Sequence, residues 1–336
     1  MGDSGRAAPL RVRKSSRPPY VLDLSRIRRF RSSMTVFRRV EWDSSWEGYR
    51  RWFAAEIPRI LEERREGYSL LEYALARASR APDSLLRPHV AHSRDEPYHP
   101  VPPFGRRHEF SDPREASAWV KGAAEFFGAD LVGICRLNRL WVYEDADVPE
   151  GFDYVVVMAV AMDREAIETS PALGAEAATG LGYSRLVFLL SCVGEFIRSL
   201  GYGAIESRND TALNIPLAID AGLGELGRNG LLITPQFGSR VRICKVFTDL
   251  PMEPDSPIEF GVREFCRRCK LCAESCEVGA ISKDDEPTFE GPTKSNNPGA
   301  LKWYIDPERC YLYWCENGAS CSTCIAVCPF SRSSAL

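Results

Sequence analysis

Cys266-Arg-Arg-Cys269-Lys-Leu-Cys272-Ala-Glu-Ser-Cys276 is the stretch on which the fold of this chain turns. Its C-x2-C-x2-C-x3-C spacing wraps three thiolates around one cubane iron–sulfur cluster, while the fourth cysteine points away to a second cluster. A second run, Cys310-x10-Cys321-x2-Cys324-x3-Cys328-Pro329, repeats the ending with its first cysteine displaced upstream. The same rule then assigns Cys266, Cys269, Cys272 and Cys328 to one [4Fe-4S] cluster and Cys276, Cys310, Cys321 and Cys324 to another. Zinc ribbons are the competing reading, but they seldom use eight cysteines in so asymmetric a pattern. Two details depart from the pattern. Glu277 stands where proline is usual, and Cys315 competes with Cys310, which is the preferred ligand.

Nine of the twelve cysteines lie between Cys266 and Cys328, a density that background usage does not produce. Disulfides would be the ordinary explanation in a small secreted domain short of core. This chain has 336 residues with 44% hydrophobic and 26% charged content, enough for a sizeable core, and its start reads as polar and basic rather than secretory. Eleven Lys and Arg against Asp3 and Asp23 make the segment to Arg39 strongly cationic, and the total of −3 leaves the remainder acidic. Arg28-Arg29-Phe30 has the look of a twin-arginine export signal, yet Arg31-Ser-Ser-Met-Thr35 follows where an apolar run belongs. The expectation is a cytoplasmic, reducing location, where clustered cysteines mean metal. The best candidate for a membrane span, Leu186 to Ile197, is interrupted by Ser191, Cys192 and Glu195 and falls short of the ~18–20 residues needed. The small net charge gives no reason to expect a nucleic-acid partner.

Upstream of the cysteines four parts are expected: a disordered leader (1–20), a covering segment (21–111), an α/β core (112–262) and the two-cluster module (263–336). In the covering segment, Trp46, Tyr49, Trp52, Phe53, Ile57 and Ile60 predict a helix over 45–65. Six prolines from Pro82 to Pro103 then predict an irregular loop. His89, His92, His99 and His108 lie in or beside it, at spacings that match no metal pattern. The core opens at Asp112-Pro113-Arg114-Glu115, where an acidic N-cap, proline at the first position and glutamate at the third mark a helix start. That helix runs to about Phe127. Leu131–Cys135, Tyr154–Met162, Ala204–Ser207 and Arg240–Phe247 read as strands, with a long helix from about Leu181 to Leu200 between the second and third. The almost wholly apolar 154–162 run predicts a strand covered on both faces. Cys135, Cys192 and Cys244 read as small buried hydrophobes. Gly222-Leu-Gly224-Glu-Leu-Gly227 matches G-x-G-x-x-G, but no strand leads into it, so a flat cofactor other than a dinucleotide is the better expectation.

These residues resemble the corrinoid-dependent reductive dehalogenases. The resemblance rests on Leu181-Gly-Tyr-Ser-Arg185, Arg208-Asn-Asp-Thr211, Ala221 to Arg228, Ile233-Thr-Pro-Gln-Phe-Gly238, Val241-Arg242, Phe247-Thr-Asp-Leu-Pro251, Lys302-Trp-Tyr-Ile-Asp306, Tyr313-Trp314 and both cysteine runs. Arg29-Phe30 to Phe37-x-Arg39 also looks like the segment that follows the export signal in respiratory members. It implies a nitroreductase-like α/β core holding base-off cobalamin, followed by a ferredoxin-like module with two [4Fe-4S] clusters. It also implies an organohalide substrate and a low-potential donor such as ferredoxin or flavodoxin. In the family a tyrosine donates the proton, helped by a basic residue and a polar neighbour, and Tyr183, Arg242 and Asn209 fall on those positions. Gly222, Gly224 and Gly227 become candidate corrin contacts, and Trp46, Tyr98, Phe104 and Trp314 candidates to shape the pocket. No D-x-H-x-x-G corrinoid motif is present and no histidine follows His108, in keeping with a base-off corrinoid. The chain stops eight residues after Cys328, where relatives usually continue, so a truncated or diverged member is one expectation.

Tyrosine suits the role chemically: it is a weak acid at pKa ~10, and a nearby guanidinium favours the phenolate it leaves behind. The plain alternatives are that Tyr183 packs at a helix start, that Asn209-Asp210 is only a turn, and that Arg242 is a surface charge. Two other functions compete. An epoxyqueuosine reductase uses cobalamin and two clusters on tRNA, but should carry a basic surface. A two-cluster electron-transfer protein with an inert domain has no need of the tyrosine, asparagine and arginine motifs.

Overall fold

The computed structural model describes residues 11–63, 65–80 and 107–332; the expected proline-rich loop with His89, His92 and His99 lies outside them. At its centre stands a four-stranded sheet of β1 (Leu131–Arg136), β2 (Tyr154–Ala161), β3 (Ala204–Ser207) and β4 (Val241–Thr248), in the order β1-β2-β4-β3. Every pairing is antiparallel, with Gly133 opposite Val157, Met158 opposite Cys244 and Ser207 opposite Lys245.

Seven helices matter for the argument: α1 (Val36–Trp42), α2 (Leu70–Ser79), α3 (Pro113–Phe126), α4 (Leu173–Ser199), α5 (Asn214–Asp220), α6 (Val262–Arg268) and α7 (Pro307–Asn317). Strand alternation divides the core in two. Val156, Met158 and Val160 pack with Cys244 and Val246 under α3 and α4, against Val120, Ala124, Leu186, Leu190 and Val193. Val155, Val157 and Ala159 face the other way, with Ile243 and Phe247, onto Trp141, Phe152, Leu217 and Ala218. Burying each such side chain contributes roughly 1.5–3 kcal/mol, which is why β2 has no polar residue. The mixed helix-and-sheet class and the two-sided burial are as the sequence indicates.

Capping fixes α3 as expected: Asp112 Oδ1 accepts from the amides of Arg114 (2.7 Å) and Glu115 (3.0 Å) with Pro113 at the first turn. The long helix differs. It starts at Leu173, eight residues before the expected start at Leu181, and so takes in Gly174 and Gly180 ahead of Gly182. Each glycine costs about 1 kcal/mol of helix propensity relative to alanine, which hides the first turns from a reading of periodicity. They are tolerated because neighbours lie where side chains would: an added Cβ would stand 2.3 Å from Ser79 Oγ at Gly180 and 2.8 Å from Arg242 Cγ at Gly182. Among the described residues α4 is the one helix long and apolar enough to cross a membrane, and it packs on the sheet.

Three expectations about other segments are corrected. Residues 45–65 do not form one helix; a 3-10 turn over Phe53–Glu56 leads into a short helix over Ile57–Glu62. Pro58, which has no amide hydrogen to donate, is accommodated at the start of that helix and would break a longer one. The second half of the leader is folded: Arg13–Lys14 pairs with Ile258–Glu259, and the Tyr20 hydroxyl donates to Asp220 at 2.7 Å. Arg29, of the arginine pair resembling an export signal, donates to the carbonyls of Val142, Tyr143 and Ala146. Finally, Cys135 and Cys244 are buried, but Cys192 sits on a half-exposed face of α4.

Candidate functional site

Two groups of cysteines converge at the C-terminal end. Cys266 lies on α6, Cys269 caps it and Cys272 lies on the short helix over Leu271–Glu274. With Cys328 they line one cavity, walled by Arg228, Ile233, Phe265 and Phe330. Cys276, Cys310, Cys321 and Cys324 gather beside it, near enough for Cys324 to feel all three others and also Cys272. The pairing therefore crosses the two runs. Burial first, then the neighbouring sulfurs, pushes Cys272 and Cys310 up to about 12 and Cys266 to about 11. Such sites suit a group whose iron accepts thiolate charge. Among the described residues no three His, Cys, Asp or Glu side chains gather tightly enough to hold one metal ion.

Cys315 is elsewhere: it is buried with Val36, Val40, Trp46 and Tyr311 where α7 meets α1. Trp46 and Trp314 belong to this aromatic packing, with Phe37 and Tyr311, while Tyr98 and Phe104 lie outside the described residues. The buried Trp314 indole N–H has no hydrogen-bond partner among the described residues, and its nearness to Cys310 draws that thiol down against the larger push of burial. The amides of Ala280 and Thr323 donate to Cys276 (3.2 Å) and Cys321 (3.5 Å).

Part-way along α4 the tyrosine, asparagine and arginine meet. Tyr183 is well inside α4, not at its start, and half-buried over the sheet. Its hydroxyl accepts a 2.9 Å hydrogen bond from Asn209 Nδ2. Arg242, on β4, lies 5.1 Å from the Tyr183 ring centre, donates through Nη2 to Thr179 at 2.9 Å and keeps a buried Nε that has no partner among the described residues. Arg80 approaches the same ring at 5.8 Å. Thr179 and Tyr183 are one helical turn apart, and Gly182 makes room for the Arg242 stem. The local arrangement places a phenol between an amide donor and a guanidinium, with Asn209 exposed to an approaching molecule. A charged strand residue and a turn residue are thus drawn together by the fold.

The glycine-rich segment is not a helix-opening turn. Glu225–Leu226 pairs with Leu232–Ile233 in a small hairpin. A Cβ would come 2.4 Å from Ser256 O at Gly222, 2.1 Å from Ile233 O at Gly224 and 2.8 Å from Ile233 Cγ1 at Gly227. On the side where a Cβ would stand, the close approach is therefore to this chain's own atoms. Arg228, next along, is fully buried and donates to the carbonyls of Cys266, Ser282 and Asp284.

Several contributors escape a motif-based reading. Lys245 is fully buried on β4 and donates to Arg208 O (2.7 Å), Asp210 O (3.0 Å) and Asn214 Oδ1 (2.7 Å). Glu176 takes Arg80 on one oxygen and Ser320, the neighbour of Cys321, on the other. For Lys245 a signal existed: a lysine between Ile243 and Phe247 at strand spacing stands on a core face, where lysine is rare unless partnered.

Residues 144–252 match the family described as a reductive dehalogenase subunit, and 265–331 match a 4Fe-4S dicluster domain. The tetrachloroethene reductive dehalogenase of Sulfurospirillum multivorans is 40% identical over 258 residues, 66% of this chain and 51% of that protein. Its counterpart from Desulfitobacterium hafniense is 38% identical over 276 residues, 68% of this chain and 50% of that protein. Among solved structures, a catabolic reductive dehalogenase superposes with a TM-score of 0.75 at 26% identity, covering 97% of this chain and 45% of that one. Another, described as suggesting a mechanism for B12-dependent dehalogenation, gives 0.73 at 25%. The chain spans about half the length of the curated relatives it matches.

Proposed function

We propose that this homologue of the reductive dehalogenases replaces a carbon–halogen bond by carbon–hydrogen in a small organohalide, taking up two electrons and one proton and releasing halide. The observation that carries the reading is the Tyr183 hydroxyl held by Asn209 Nδ2, with the Arg242 guanidinium over the phenol ring. Tyr183 is the proton donor, Arg242 lies over its ring, and the exposed Asn209 orients the substrate or the departing halide. Cobalamin bound base-off here, against the loop of Gly222, Gly224 and Gly227, would supply a strongly reducing, nucleophilic cobalt.

Cys266, Cys269, Cys272 and Cys328 would hold one [4Fe-4S] cluster and Cys276, Cys310, Cys321 and Cys324 the other, and the two would supply electrons one at a time. The proximity of Cys324 to Cys272 makes transfer between them short. A ferredoxin or flavodoxin is the proposed donor. The test is halide release by the reconstituted protein and its Tyr183→Phe variant. Loss of a positioned general acid is expected to slow release by ~100-fold or more at unchanged iron content. Unaltered release from Tyr183→Phe would remove the proposed donor.

A further inference from the structure

Behind the tyrosine runs a hydrogen-bonded chain whose direction is decided at its far end. Lys245 Nζ has three hydrogens and no acceptor capacity while protonated. Two go to the carbonyls of Arg208 and Asp210, and the third to Asn214. Burial pushes Lys245 down to about 8, with Asp210 opposing, so the ammonium form persists at neutral pH. Facing a pure donor, the Asn214 side chain must present its oxygen to Lys245. Its Nδ2 then donates to Asn209 Oδ1 at 2.9 Å and toward the carbonyl of Ile243 at 3.4 Å. The Ile243 carbonyl is an independent check on the orientation, because a flipped amide would set oxygen against oxygen there. With its oxygen occupied, Asn209 can offer only Nδ2 to Tyr183, at 2.9 Å.

We infer that Lys245 and Asn214 are positioning residues for the proton donor: they fix the direction of donation so that the Tyr183 oxygen accepts from Asn209 and its own O–H is turned toward substrate. This rests on the proposed role of Tyr183. Were the chain reversed, Asn209 Oδ1 would take the phenol hydrogen and hold it away from the reacting carbon. When the phenol gives its proton to that carbon, the oxygen keeps the O–H electron pair, and the Asn209 N–H already aimed at it stabilises the charge; water later returns the proton. The charged groups facing Tyr183 are Arg242 and Arg80, the latter paired with Glu176, and those facing Lys245 are Asp210 and the loop carbonyls. None of them supplies a hydrogen bond to the hydroxyl that could set this direction.

Asn214→Asp is the discriminating variant. The carboxylate keeps an acceptor for Lys245, so the fold is retained, but it cannot donate to Asn209. Isotope-edited infrared of the tyrosine C–O stretch, taken as the difference from Tyr183→Phe, reads whether the phenol accepts or donates, and needs no corrinoid. The expected result is a shift of that band toward the donating form, with halide release slowed ~10–100-fold, KM changed less than about threefold and a larger solvent isotope effect. Lys245→Met should act in the same sense, and Lys245→Arg should restore most of the rate. An unshifted band in Asn214→Asp overturns the inference, as does a shifted band with a wild-type rate. If the wild type itself releases no halide, the dehalogenase reading fails, while the band still decides the direction of the chain.

Discussion

Replacing Gly182 by alanine tests the tyrosine site with a single methyl group. The added Cβ would lie 2.8 Å from Arg242 Cγ, about 0.6 Å inside ordinary contact, with Arg242 Cβ at 3.5 Å behind it. The stem must shift by roughly that amount. The 2.9 Å bond to Thr179 then stretches to the limit of a hydrogen bond, and the 5.1 Å stack on Tyr183 opens. A bond from a charged donor contributes about 1.5–3 kcal/mol and a cation–π contact about 0.5–2. Against that, alanine gains about 1 kcal/mol of helix propensity. If both contacts are lost, stability should therefore fall by roughly 1–4 kcal/mol, read by chemical denaturation. Halide release should fall by one to two orders of magnitude, since each ~1.4 kcal/mol lost from the transition state is tenfold in rate. Gly122→Ala on α3, where nothing lies within 4 Å of an added Cβ, is the control and should be up to about 1 kcal/mol more stable with full activity. Wild-type turnover in Gly182→Ala, with Arg242 displaced in a crystal structure of the variant, would refute the role given to Arg242.

Three further outcomes are expected. Cys310→Ala should cut reconstituted iron from about eight to about four per chain, whereas Cys315→Ala should retain all eight, measured by iron content and electron paramagnetic resonance. Arg228→Gln removes a buried cation beside the Cys266, Cys272 and Cys328 thiols, and should lower the potential of that cluster by roughly 50 mV, about 1 kcal/mol for one electron, in a redox titration. Asp220, raised by burial to about 6 from an ordinary 3.8, binds a proton more tightly folded than unfolded. Its stabilising contribution is complete below pH ~4 and lost as pH rises through ~6, so the wild type should lose on the order of 2 kcal/mol relative to Asp220→Asn between those limits, measured by urea unfolding.

The parts of this protein legible in its sequence are those where one local rule acts without opposition. Asp112 to Glu115 starts a helix because cap, proline and glutamate agree. Strand β2 is apolar at every position because both faces are covered. The crossed cysteine groups follow from spacing, since three sulfurs in a tight loop leave the fourth pointing out. Misreadings arise where tertiary contacts override local preference. The first turns of α4 hide behind Gly174 and Gly180, whose smallness serves Thr169, Ser79 and Arg80 rather than the helix. The 45–65 segment has helical periodicity, but Pro58 interrupts it. Tyr20 looks like the end of a disordered leader and is held by Asp220, 200 residues away. Around Tyr183 the motif positions were visible, whereas Lys245 and Asn214 are united with them only by the pairing of β4 with β3 and the loop that follows.

The central claim is that one chain joins a corrinoid-binding dehalogenating core to two clusters. Anaerobic reconstitution with iron, sulfide and cobalamin, followed by metal analysis, cobalt electron paramagnetic resonance and halide release from haloalkene and haloaromatic substrates, tests it most directly. The account predicts about eight irons and one corrinoid per chain, a Co(II) signal without nitrogen splitting, and halide release that depends on Tyr183. Eight irons with no bound corrinoid and no halide released would contradict it, and would leave a two-cluster electron-transfer protein.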